Sequence, residues 1–249
     1  GTQLSNYVYN NGTITFDILS PGRYYVWVYD GAYDSLGSYR FTLIDHLLKN
    51  VTRAPVFINP TSNQQSVINF ELERDANVIF RYYSASLNAS GVLQKTLLNR
   101  TDARTFSRGV NSHVWDGRDS SSILPSGTYL YSIEAISTSG NRHMLYDPAY
   151  AGGTVGLKPG STLSTTLDPY RSQGAQITYS LNAPAFVTLR AGRYGIVGAD
   201  RIIIQNEPRD IINNVEFWDG KDNSGNIVNP SSYVVYVWTS ALPANSIVL

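Results

Sequence analysis

Three histidines, His46, His113 and His143, are the first places to look for chemistry in this chain. None has the i, i+4 partner of a zinc-binding helix, and none stands beside a Gly-x-Ser-x-Gly turn. His113 lies two residues before Trp115 in an alternating run, which points to a structural role on a strand rather than to a general base. Serines, histidines and aspartates are all present, but a triad is defined by geometry and not by composition. No Gly-rich loop opens a helix, so no phosphate cradle is visible. The absence of cysteine excludes disulfides, thiolate metal sites and a cysteine nucleophile. The sequence therefore assigns no catalytic, cofactor-binding or metal-binding residue.

Three acidic loops bear on calcium. "DGKDNSGN" (219–226) has the spacing of the start of a calcium loop, but Lys221 falls where an oxygen ligand belongs, and no bidentate Glu follows at the right distance. "DGRDSSSI" (116–123) fits less well. Both are read as plain turns, with Gly taking positive φ and Asp bonding nearby backbone amides. "YDGAYDSLG" (29–37) places Asp30 and Asp34 in one loop; whether that pair holds calcium is left open by the residues alone.

The elements that position these loops occur twice. "HVWDGRDSSSILPSGTYLYSIEA" (113–135) is restated as "EFWDGKDNSGNIVNPSSYVVYVW" (216–238). Upstream, "NPTSNQQSVINFELERDANVIF" (59–80) matches "DPYRSQGAQITYSLNAPAFVTL" (168–189) at a constant offset of 109 residues, setting Pro60 on Pro169, Ile68 on Ile177, Phe70 on Tyr179 and Leu72 on Leu181. For Trp115 and Trp218 the offset is 103, so the loops between differ in length. Two copies of one supersecondary plan account for this order. Each copy alternates with period 2 and is punctuated by Asn-Ala-Pro, Pro-Ser-Gly or Asn-Ser-Gly, the pattern of short antiparallel strands. The fold class this predicts is all-β: tandem antiparallel β-sandwiches.

Composition bounds the rest. Of 249 residues, 42% are hydrophobic, enough for a folded core. Nineteen basic residues balance nineteen acidic ones, which leaves no electrostatic footprint for nucleic acid or anionic lipid. No apolar run approaches a membrane span. The single methionine, Met144, and the opening at Gly1 suggest a piece or processed product of something longer.

The motif set "NP…INFEL…ANVIF…WDGRD…LPSGTYLYSIEA" resembles the immunoglobulin-like domain of the flagellar hook-capping protein family, which recurs in tandem in bacterial secreted and surface proteins. The second copy departs from that pattern at Lys221 and at Ser231-Ser232. The N-terminal stretch "GTITFDILSPGRYYVWVYDGAYDSLGSYRFTLID" (12–45) is similar to the end of the bacterial pre-peptidase C-terminal domain. The resulting division is a partial β unit over 1–54, a first immunoglobulin-like repeat over 55–145 and a second over 146–249.

The expectation is a non-enzymatic spacer, scaffold or adhesion segment of a larger bacterial extracellular or cell-surface protein, without cofactor. Its partners would be other domains of the parent protein or other extracellular proteins, with polysaccharide as a further candidate, and neither nucleic acid nor membrane insertion. The alternative is an accessory module of a secreted hydrolase, binding polysaccharide or protein through aromatic faces. Two such faces stand out. One is the stripe "RYYVWVYD" (23–30). The other is on the last strand: alignment of Tyr129 with Tyr233 puts Val234, Tyr236 and Trp238 on the face opposite the core, where the first copy carries Leu130, Ser132 and Glu134.

Overall fold

In a computed structural model, the chain divides into two units, Gly1–Leu43 and Ile44–Leu249. The structure describes residues 47–88, 90–140, 142–148, 153–163, 167–171, 173–194 and 201–249, all of the second unit. Residues 1–46 of the expected N-terminal β unit, with its aromatic stripe, Asp30, Asp34 and His46, lie outside the described residues; residues 48–54 of that unit form a strand of the first sandwich.

The period-2 pattern becomes strands as expected. The first sandwich contains β1 (Leu48–Ala54), β2 (Ser66–Leu72), β3 (Ala76–Leu87), β4 (Leu93–Phe106), β5 (Gly109–Trp115), the short β6 (Arg118–Asp119) and β7 (Ser122–Ile123), β8 (Thr128–Ser137) and β9 (His143–Tyr146). One sheet has the order β1-β2-β5, and the other runs β4-β3-β8 with β9 on the outer side of β8. All the pairings in both sheets are antiparallel. First, second and fifth strands facing third, fourth and later ones is an immunoglobulin-like arrangement. In β2, Ile68, Phe70 and Leu72 are buried while Val67, Asn69 and Glu71 are partly exposed. They meet Val78, Phe80, Tyr82, Tyr131 and Ile133 of the opposite sheet in one core.

The plan recurs in β10 (Thr162–Leu163), β11 (Ala175–Tyr179), β12 (Ala185–Arg193), β13 (Arg201–Arg209), β14 (Asn214–Trp218) and β15 (Tyr233–Ala241). Here the sheets are β10-β11-β14 and β13-β12-β15. Their core is built on Val155, Ile177, Tyr179, Leu181, Val187 and Leu189, with Ala175, Ala191 and Trp218 at one end. The only helical elements among the described residues are two short 3-10 turns, Pro60–Ser62 and Pro169–Arg171. The chain is thus an all-β protein of antiparallel sandwiches.

The last strand, β16 (Ser246–Val248), does not belong to the sandwich that precedes it. It pairs antiparallel with β8, Ser246 opposite Leu130 and Val248 opposite Thr128. The second sandwich is therefore inserted between β9 and β16 of the first.

Candidate functional site

The Trp-Asp-Gly turn is built the same way in both copies. Trp115 ends β5 and Trp218 ends β14; their exposures are 0% and 3%. Each buried indole needs a hydrogen-bond acceptor. Trp115 Nε1 donates to Arg118 O at 3.3 Å, and Trp218 Nε1 to Lys221 O at 2.9 Å. The aspartate then closes the turn on the same residue: Asp116 Oδ1 accepts from Arg118 N at 3.2 Å, and Asp219 Oδ1 from Lys221 N at 3.1 Å. Gly117 and Gly220 have φ of 71° and 73°, the left-handed region that Gly enters without penalty.

These glycines meet a second demand. A Cβ on Gly117 would run into the ring of Pro60, and one on Gly220 would lie 2.6 Å from Pro169 Cγ. The Asn-Pro or Asp-Pro that opens each repeat thus packs on the glycine that closes it. The tyrosine of the following strand completes the corner. Tyr129 donates its hydroxyl to Pro125 O and Tyr233 to Asn229 O, each at 2.8 Å, while their rings pack on Trp115 and Trp218 at 5.6 and 5.1 Å. This is the tyrosine corner of immunoglobulin-like folds.

Asp116, Asp219 and Asp222 of the calcium-like loops are engaged within the turns. Asp222 Oδ1 accepts from Ser224 N and Asn226 N, both at 2.9 Å, and the Asn226 amide holds its carboxyl below the ordinary aspartate range. Among the described residues no group of three or more His, Asp or Glu side chains is placed to hold a metal.

Two cross-sheet polar clusters carry no local signal in the sequence. In the first sandwich, Tyr82 Oη lies 2.7 Å from His113 Nε2 and 3.3 Å from Asp102 Oδ2. Asp102 Oδ2 is 3.2 Å from His113 Nε2 and accepts from Arg100 Nε at 3.1 Å. Arg100 Nη1 reaches onward to Asp116 Oδ1 at 2.6 Å, so β4 is tied to the Trp-Asp-Gly turn. Burial pushes the His113 pKa down, against the pull of Asp102. Burial also raises Tyr82 far above the ordinary phenol range. In the second sandwich Arg209 Nε donates to Glu216 Oε1 at 2.6 Å, and Tyr179 Oη donates to the same oxygen at 3.3 Å. Arg201 Nη1 donates to Asp222 O at 3.1 Å, the counterpart of the Arg100 tie. His143, the remaining described histidine, is exposed and lies 2.8 Å from Glu134 Oε1.

The outer face of β15 is where side chains are offered outward. Trp238 is 50% and Tyr236 38% exposed, while Tyr233, Val235 and Val237 pack against the core. The rings of Tyr236 and Trp238 are 5.7 Å apart, and the Arg190 guanidinium from β12 lies 5.3 Å from the Trp238 centroid. The described part of the 146–161 linker does not cover this face: Val155 enters the core and exchanges hydrogen bonds with Thr239 along the strand edge. The first copy differs from expectation. Leu130 and Ser132, on the face expected to be solvated, are 1% exposed. Side chains from β3 overlie that face: Tyr83 Oη is 3.3 Å from Ser132 Oγ, and Arg81 pairs with Glu134 at 2.6 Å.

No family model matches the sequence, and no curated protein matches it. Among solved structures, the chain is similar at 9% identity and a TM-score of 0.30 to one titled "Chaperone-tip adhesin complex is vital for synergistic activation of CFA/I fimbriae biogenesis", covering 78% of this chain and 100% of that one. The class 5 fimbriae chaperone CfaA aligns at 11% identity and a TM-score of 0.28, with 78% and 100% covered. Red sea bream transglutaminase aligns at 12% and 0.27, over 80% of this chain and 27% of that one. At such scores the likeness carries no functional argument; the immunoglobulin-like assignment rests on the strand order, the Trp-Asp-Gly turns and the tyrosine corners.

Proposed function

We propose that this chain is a non-enzymatic structural and interaction segment, a spacer, scaffold or adhesion module, of a larger bacterial extracellular or cell-surface protein. The observation that supports it best is what the chemistry-bearing residues do. In both copies the tryptophan, Trp115 or Trp218, closes the same turn, and an arginine, Arg100 or Arg201, ties the opposite sheet to it. A site for catalysis would need such groups converging on space for a substrate. The resemblance of the Trp-Asp-Gly repeat to modules of secreted and surface proteins supports the location. No helix among the described residues is long and apolar enough to cross a membrane.

A second reading, the accessory module of a secreted hydrolase, is favoured by one observation: the exposed Tyr236 and Trp238 beside Arg190. A glycan array separates the two. A spacer, scaffold or protein-adhesion role predicts no saturable glycan binding. Binding that Trp238→Ala abolishes, in a variant that melts like the parent, would establish the accessory role instead.

A further inference from the structure

Strand β16 starts five residues after β15 ends, yet its contacts lie in the first sandwich, 114 residues upstream and more. It is inserted between two partners. On one side Ser246–Val248 pairs with β8, and Gly127 and Leu249 exchange both backbone hydrogen bonds, at 2.9 and 3.0 Å. On the other side Val248 N donates to Val56 O at 2.8 Å, and Ile58 N to Val248 O at 2.9 Å. The side chains are read as well. Ile247 is buried in the first core. Asn245 Nδ2 donates to Tyr131 O at 2.6 Å, and Tyr131 N donates to Asn245 O at 3.1 Å. Arg53 clamps the segment from outside: its Nε donates to Ser246 O, and its Nη2 to Ser246 Oγ at 3.1 Å and Pro243 O at 3.4 Å. This is a built groove, with main-chain pairing for affinity and side-chain contacts for specificity, as in strand-addition recognition.

Two features separate this strand from an ordinary core element. Among the described residues no strand takes the corresponding place beside β15, and the second sandwich still closes its core on Val155, Leu181 and Leu189. A sandwich of this plan is thus built without the added strand. In addition, Asn245 Oδ1 is buried with no hydrogen-bond partner. An unpaired buried oxygen weakens the hold on the segment, which suits exchange.

We propose that the first sandwich is a strand acceptor. The groove between β8 and Val56–Ile58 recognises an extended Asn-Ser-aliphatic-aliphatic-Leu segment. Residues 245–249 of the same chain occupy it as a tethered ligand, and a separate peptide of that sequence takes their place once the tether is cut. Strand acceptance is one form of the interaction role proposed above, but it is measured on a different site from glycan binding, so either can fail alone.

The test uses the full chain with a protease-cleavable sequence inserted between Leu242 and Pro243. After cleavage, a fluorescent synthetic peptide of residues 243–249 is added and anisotropy is followed, with near-UV circular dichroism as the measure of fold. Saturable binding is expected, competed by unlabelled peptide, weakened about tenfold by Asn245→Ala in the peptide and lost with Ile247→Asp. A cleaved chain that loses its near-UV spectrum and regains it on addition of the peptide supports the proposal equally. It is overturned by a folded cleaved chain that does not bind, by an unfolded one the peptide does not restore, or by a cleaved segment that stays in place and never exchanges. Equal binding of a scrambled peptide also overturns it.

Discussion

At the scale of single residues, the Trp-Asp-Gly turn concentrates steric and polar demands that predict unequal mutational costs. Trp115→Ala and Trp218→Ala each remove a large buried ring and the indole donor to a turn carbonyl, so each should cost about 3–5 kcal/mol in urea melts. Gly117→Ala forces Cβ into Pro60 at positive φ and should cost about 1–3 kcal/mol. Gly225→Ala, at a φ of 85° but with nothing near its Cβ, should cost less. The reverse order would mean that the Pro60 contact is unimportant. His113 predicts a pH dependence. Its folded pKa is held below the ordinary value of 6.5 by burial, against the pull of Asp102, with Arg100 and Arg104 pushing the same way as burial and Tyr82 Oη alongside. The unfolded chain therefore binds the extra proton first, and stability falls as pH drops below 6.5. Urea midpoints at pH 7.5 and 5.5 should diverge more in the parent than in His113→Gln. Parallel shifts would show that His113 does not titrate in this way.

At the scale of elements, β15 has a core face and an offered face, and the two should respond differently. Trp238→Ser removes a half-exposed ring and its Arg190 contact, so about 1 kcal/mol or less is expected. Val237→Ser, on the face packed against the second core, should cost about 2 kcal/mol. The reverse order of costs would put the strand one residue out of register. That face was legible in the sequence because alternation and the Tyr129–Tyr233 alignment are local signals. So were the buried tryptophans, the Asp-Gly turns and the proline that opens each copy. Alternation does not name a strand's partner, however. Arg100 and Asp102 sit in a stretch with no counterpart in the repeat pattern, and only the pairing of β4 with β3 brings them beside Tyr82 and His113. Likewise Leu130 and Ser132 read as an outward pair, and what overlies them comes from β3.

At the scale of the whole molecule, sequence order and structural membership part company at β16, and this yields the sharpest expectation. "NSIVL" follows directly on the second repeat, so a reading by sequence alone puts any damage there in the second sandwich. In the structure Ile247 belongs to the first core, with Phe80, Tyr129 and Tyr131, whereas the second core is built on Val187, Leu189 and their neighbours. The substitution Ile247→Asp buries a carboxylate among those aromatics. It should destabilise the first sandwich by about 3–5 kcal/mol. Because the two cores share no residue, the loss should be local rather than global. Native-state hydrogen exchange resolves the two outcomes: the amides of Phe80, Tyr131 and Ile133 should lose protection, while those of Val187 and Leu189 keep theirs. Protection lost first in β12 would mean that the strand stabilises the sandwich it follows in sequence, and the insertion of the second sandwich into the first would be wrong.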